Sequence, residues 1–184
     1  AGVSRDDEVL TPALTFVATA NAVSYCGAIP HFVDCTESTL GVDAEKLDAY
    51  LATVLENGEN KHTGRKISAL IVTHIFGHCA DMDALCVLAQ KYNLVLIEDA
   101  AESLGSYYKG KHTGLFGMIS ALSFNGNKIL TTGGGGAVLT ADKGLATRAK
   151  HLSTTAKIAD PYMHCHDAVG YNYRMPNINA ALGC

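Results

Sequence analysis

Ser123-Phe124-Asn125-Gly126-Asn127-Lys128, followed by Ile129-Leu130-Thr131-Thr132 and the glycines Gly133 to Gly136, is the stretch on which the reading of this chain turns. The apolar run Ile119–Phe124 predicts a strand, and Ala137-Val138-Leu139-Thr140 beyond the glycines predicts a second one. A lone lysine is ordinarily a surface residue, and a glycine run is ordinarily a loop. A second stretch shifts that balance. Leu94-Val95-Leu96-Ile97 has the pattern of a buried strand and ends in Glu98-Asp99-Ala100-Ala101-Glu102. In open α/β sheets the ligand crevice lies outside the carboxyl ends of the strands. Asp99 and Lys128 both fall just past such ends, which makes them the candidate chemical pair.

Outward from these two stretches, strand and helix patterns alternate. Glu8–Pro12 reads as a short strand, Phe16–Tyr25 as an apolar helix ended by Gly27, and His31–Asp34 as a strand opened by Pro30. Asp43–Leu55 carries helical spacing, with Leu47, Tyr50, Leu51 and Leu55 on one face, and Gly58–Lys66 reads as an exposed loop. Ile67–Ile75 is apolar enough for a strand covered on both faces. Asp81–Tyr92 reads as a helix capped by Asp81, with Met82, Leu85, Leu88 and Ala89 facing inward, before the strand Asn93–Ile97. Residues 100–117 read as loops with a small strand or hairpin, Lys143–Leu152 as a helix, Ser153–Asp167 as a surface or interface loop, and a last helix starts near Asn177. This alternation argues for a largely parallel sheet in an α/β fold.

The 184 residues suffice for one domain with a sizeable core, and 48% hydrophobic with 17% charged residues indicates a globular chain. A net charge of -4 leaves no electrostatic footprint for nucleic acid, and no apolar run reaches membrane-spanning length. Ala1-Gly2-Val3 reads as the tail of a helix, and no secretory signal precedes the charged run Ser4–Glu8. The cysteines, Cys26, Cys35, Cys79, Cys86, Cys165 and Cys184, form no C-x-x-C pair. They predict reduced, mostly buried thiols in a cytoplasmic protein without a zinc site. His74 and His78 lack metal-binding spacing, and the run His164-Cys165-His166, able to bind adventitious metal, reads first as a loop. The glycine tract leads into a strand rather than a helix, so it is not a dinucleotide fingerprint.

Four segments together resemble the sugar aminotransferases of the DegT/DnrJ/EryC1/StrS family, fold-type-I enzymes dependent on pyridoxal 5'-phosphate. They are Thr15-Phe16-Val17-Ala18-Thr19, Glu98-Asp99-Ala100-Ala101-Glu102, Ser123 through Lys128 with the glycines, and Gly170-Tyr171-Asn172-Tyr173-Arg174-Met175. They run in the family's order across nearly the whole chain, which is far more specific than any one of them. The resemblance implies a three-layer sandwich around a mostly parallel mixed sheet. Residues 1–184 would form part of the large cofactor domain, without the N-terminal turn that cradles the phosphate and without the C-terminal small domain. The subgroup it looks most like makes 4-amino-4,6-dideoxy sugars on a nucleotide carrier, such as those feeding bacillosamine or legionaminic acid.

The resemblance assigns roles that chemistry supports. Lys128 would bond the cofactor aldehyde and then move protons, a task open to lysine because its amine can be deprotonated near neutral pH. Asp99 would keep the pyridine nitrogen protonated, so that the ring stays an electron sink. Phe16 matches the aromatic that stacks on the ring, although a plain core residue is an equally good reading. Ser123 resembles the hydroxyl on the phosphate. Glu102 matches the contact to the ring hydroxyl, where many members carry glutamine. Asn172 resembles a residue that reaches the phosphate of the neighbouring subunit's cofactor, which implies a homodimer with shared sites. Met118 departs from the family, which often has aspartate there. The implied reaction transfers an amine from glutamate to a nucleotide-linked 4-keto-6-deoxy sugar. The alternative is a non-catalytic remnant that keeps the fold and self-associates. Dehydratases of the same family replace the lysine by histidine, which argues against that class.

Overall fold

The computed structural model describes residues 1–184. In chain order the elements are β1 (Glu8–Pro12), α1 (Val17–Tyr25), β2 (Ile29–Val33), α2 (Ala44–Val54), β3 (Leu55–Glu56), β4 (Glu59–Asn60) and β5 (Arg65–Thr73). A 3-10 turn (Ile75–Gly77) leads to α3 (Met82–Lys91), β6 (Val95–Asp99), the small hairpin β7 (Tyr107–Tyr108) and β8 (Lys111–His112), and β9 (Ile119–Ser123). Then follow β10 (Gly136–Leu139), α4 (Lys143–Ser153) and α5 (Asn177–Leu182). The main sheet runs β2-β1-β5-β6-β9-β10 and is parallel from β2 to β9. β10 pairs antiparallel with β9. A parallel return needs a crossover, usually helical, and residues 124–135 carry no helix.

Strand alternation builds the layers. Leu10, Leu70, Val72 and Leu96 face one side, where they meet Leu47, Leu51 and Val54 of α2 and Met82, Leu85 and Leu88 of α3. Val9, Ala69 and Ile71 face the other side with Val23 of α1, and Val95 and Ile97 pack beside them. Helices therefore cover both faces of the central strands, which gives the expected three layers. β5 is buried from Ile67 to Thr73, as a central parallel strand must be. Asp81 caps α3 as expected, and Asp43 and Asp142 cap α2 and α4 in the same way, each accepting the backbone N–H three residues on.

Several expectations shift. Pro30 sits second in β2, tolerated because β2 is the sheet edge. Tyr50 is on the rim of α2, bonding His31 through its hydroxyl, and Val54 takes its inner place. Gly58–Lys66 is not simply a loop, because β4 bridges β3 and β5 and buries Asn60. That hairpin is anchored by a distant acid: Glu8 is buried and accepts from Asn60 Nδ2 at 2.9 Å, Thr63 Oγ1 at 2.6 Å and His31 Nδ1 at 2.7 Å. Desolvation pushes the Glu8 carboxyl up, but these bonds together outweigh it and hold the group below its ordinary value. The cysteines are all free thiols as expected, yet none is buried: Cys26, Cys165 and Cys184 are exposed and the others half-buried. Ala1-Gly2-Val3 is coil, with Val3 against the α1-side core.

The core makes a direct prediction. Leu70 is fully buried between β1, β6 and the α2/α3 layer. Leu70→Ala is expected to lower stability by about 2–5 kcal/mol, read as a lower urea midpoint with an unchanged slope.

Candidate active site

A cavity of about 480 Å³ opens at the carboxyl ends of β5, β6 and β9 on the α1 side of the sheet. Its wall includes Phe16, Thr19, Thr73, Asp99, Glu102, Ser123 and Lys128. Five of the six residues singled out from sequence therefore share one space, including the amine–carboxylate pair on which the reading rests. Asn172 does not line it. Asn172 is exposed and forms an antiparallel bridge with Thr154. Met118 is also outside the wall; its backbone carbonyl accepts the Thr140 hydroxyl at 2.7 Å.

Adjacent residues on β6 divide the work because a strand alternates its faces. Asp99 follows Ile97 onto the α1 side and ends the strand, opposite Ala121 of β9. Its Oδ2 accepts the Thr19 hydroxyl at 2.6 Å and its Oδ1 accepts the Ala101 N–H at 3.2 Å. Thr19 is linked to Thr15 at 2.8 Å, and Thr15 to Thr73 at 3.2 Å. A row of hydroxyls from β5 and α1 thus fixes the carboxylate. Phe16 is the residue before the first turn of α1 and is 71% exposed, so it belongs to the cavity rim and not to the core. The choice left open by sequence is settled against burial, while its stacking role stays a proposal.

Glu98, one residue earlier, points to the opposite side and is fully buried. Its carboxylate accepts the N–H groups of Gly114 and Phe116 at 2.6 Å each, that of Gly117 at 2.5 Å, and His74 Nε2 at 3.1 Å. His74 Nδ1 accepts the Ala80 N–H at 3.3 Å, which sets the tautomer with the proton on Nε2. Desolvation alone would raise the Glu98 carboxyl, but the donors from His74, Gly117 and Gly114 combine to hold it below its ordinary value. Gly117 is required here, since a Cβ would meet the Leu96 carbonyl oxygen at 2.7 Å. Gly114, with φ +87°, turns its N–H toward the acid in a backbone shape other residues rarely adopt.

Lys128 reaches back into the cavity from the turn after β9, where its Nζ lies 3.3 Å from Glu102 Oε1. The side chain is only 12% exposed. Glu102 Oε2 in turn accepts the Phe76 N–H at 2.9 Å, from the 3-10 turn that follows β5. Ser123 Oγ accepts the Asn125 N–H at 3.3 Å. No cluster of histidine, cysteine and carboxylate in the structure suits a metal ion.

Thr19, Thr15, Thr73 and Glu98 were not singled out from sequence, and His74 was read only as a histidine without metal-binding spacing. Thr15 and Thr19 stood inside a quoted motif, and their four-residue spacing on a helix start was the available signal. Nothing local marked Glu98, because its donors lie sixteen and more residues away.

A partly enclosed lysine amine, a fixed carboxylate and an aromatic rim lining one cavity of an α/β sheet suit an aldehyde cofactor with a basic ring nitrogen. They fit the class of pyridoxal phosphate transferases. The chain belongs to the DegT/DnrJ/EryC1/StrS aminotransferase family, whose model matches residues 1–184; the family is pyridoxal phosphate-dependent. The chain is similar to the GDP-perosamine synthase of Escherichia coli O157:H7, 44% identical over 99% of this chain and 46% of that protein. The GDP-perosamine synthase of Caulobacter vibrioides is 40% identical over 99% and 46%. A crystal structure of a DegT DnrJ EryC1 StrS aminotransferase from Brucella abortus superimposes with a TM-score of 0.87 at 32% identity, covering 98% of this chain and 47% of that one. The chain spans about half the length of these relatives. No helix is long and apolar enough to cross a membrane.

The buried acid sets an expected pH response. Its folded value lies below the ordinary 4.5, so its contribution is complete above that pH and is lost as pH falls below it. Glu98→Gln is expected to cost about 3 kcal/mol at pH 7 and to weaken the acid dependence. Urea midpoints at pH 7, 5, 4 and 3 for both chains check this; parallel curves would contradict it.

Proposed function

We propose that this chain is the cofactor-binding part of an enzyme that transfers an amino group from glutamate to a nucleotide-linked 4-keto-6-deoxy sugar. The observation that carries the reading is the meeting of Lys128 and Asp99 in one strand-end cavity. The similar GDP-perosamine synthases favour a nucleotide-bound sugar as acceptor. The nucleotide-linked 4-keto precursors of sugars that feed bacillosamine or legionaminic acid are the other acceptors that the reading admits.

When bound, pyridoxal phosphate would supply the electron sink that lets the α-hydrogen of an amine donor leave as a proton. Every other part falls to this chain. Lys128 would hold the cofactor covalently and, once released, carry a proton to and from the reacting carbon. Asp99 would bond the ring nitrogen, and Thr19 and the Ala101 N–H would keep that acid oriented. Phe16 would lie against the ring, Glu102 would serve the ring-hydroxyl side, and Ser123 would offer its hydroxyl to the phosphate. Asn172, exposed and away from its own chain's cavity, would reach the phosphate site of a second subunit in a homodimer. The rest of the phosphate cup and the small domain would come from other parts of the full protein.

Purified chain mixed with pyridoxal 5'-phosphate is expected to develop a visible absorption band and a borohydride-stable adduct at Lys128. Lys128→Ala should abolish both. Asp99→Asn in the full enzyme should lower amino transfer by 100-fold or more, about 2.7 kcal/mol of barrier. Assays with GDP- and UDP-linked 4-keto-6-deoxy sugars and glutamate, followed by mass spectrometry, identify the carrier. Turnover of amino acids alone, with no amino-sugar product, would reject the assignment.

A further inference from the structure

The geometry points to Glu102 as a gate on cofactor capture: its carboxylate holds the Lys128 amine in a closed ion pair that must open before the amine can react. This rests on the reading of Lys128 given above. In the fold, the pair stands inside the cavity wall, with Nζ and Oε1 at 3.3 Å. Lys128 is 12% exposed and Glu102 33% exposed, so water screens the pair less than a surface one. Glu102 is not free to follow the amine. Its other oxygen is fixed by the Phe76 N–H at 2.9 Å, and Phe76 has a φ of 52°, an uncommon backbone shape for a residue other than glycine. The turn is held in place in its own right. Ser106 Oγ donates to the Gly77 carbonyl at 2.8 Å, and His74, at its start, is tied to buried Glu98.

The consequence follows from the chemistry of capture. Nζ forms a C=N bond to the aldehyde carbon, and the aldehyde oxygen leaves as water. Of the three hydrogens on the ammonium, two go to that water and one stays on nitrogen, which keeps its positive charge. The attacking lone pair exists only after the ion pair has opened and one proton has left. A carboxylate at this position therefore slows loading, whereas an amide has one acceptor oxygen for these two donors and exerts no ionic hold on the amine. Glutamate at 102 thus trades loading speed for a lysine kept aimed into the cavity.

Stopped-flow absorbance of the growing band, with Lys128→Ala as the blank, reads the gate. Glu102→Gln is expected to take up pyridoxal, which lacks the phosphate charge, about two- to five-fold faster than the unmodified chain at pH 7.5. Added salt should narrow that ratio by loosening the pair in the unmodified chain. Glu102→Ala should also be faster, and matching thermal melts show that the variants are folded. Equal or slower uptake by both variants overturns the gate. So does a gain seen only with pyridoxal 5'-phosphate, which would report simple loss of charge repulsion. Absence of a band in every chain, the unmodified one included, removes the lysine reading and the gate together, whereas a band with equal rates removes the gate alone.

Discussion

The structure depends on one ionised side chain placed where water cannot reach it. Burying a carboxylate is costly unless donors replace its hydration. Glu98 has them: an imidazole from the end of β5 and amides from the loop between β8 and β9. Those donors belong to segments with no regular pairing of their own. The acid therefore does for the strand-end loops what backbone ladders do for the strands. Glu8 is its counterpart at the other end of the sheet, where it draws β4 and His31 onto β1. Each end of the central strands is closed by a buried acid whose partners come from distant parts of the chain.

The period of two along a strand then converts that anchor into a site. Because Glu98 faces the α2/α3 layer, Asp99 must face α1, and the same parity brings Ala121 and Ser123 to the cavity. Rigidity below and chemistry above are thus set by consecutive residues. A shift of one position in the β5–β6–β9 register would exchange them. Lys128 enters the site differently, from a turn, and its aim relies on a side-chain partner.

Sequence patterns identified the main strands and α3 to within a few residues, because central parallel strands are apolar throughout and α3 has a clean inner face with an aspartate cap. Asp99 and Lys128 were legible because strand ends in such sheets are where ligands sit. What escaped were partners separated by long stretches of chain: Asn60 with Glu8, His74 with Glu98, Thr19 with Asp99. Their residue types are ordinary on a surface, and only the fold makes them interior. The cysteines failed for the opposite reason. Thiols are usually buried, but Cys26 falls at the exposed end of α1 and Cys165 in a loop, where composition carries no directional information.

α1 bears on assembly. Its residues VATANAVSY are apolar or small around most of the helix, yet only Thr19 and Val23 are buried, while Val17 and Tyr25 are 59% and 80% exposed. A helix without a polar face is at home when covered on more than one side. The same helix supplies the hydroxyl that orients Asp99, and Phe16 before it forms the cavity rim. Cover over α1, such as the second subunit of the proposed homodimer would supply, would therefore also close the site and remove water from around the Lys128 amine. Subunit contact and chemical competence would share one helix, so loss of the contact would be felt first as a wetter, less ordered cavity and only secondarily as loss of the fold, whose core lies on α2, α3 and the central strands.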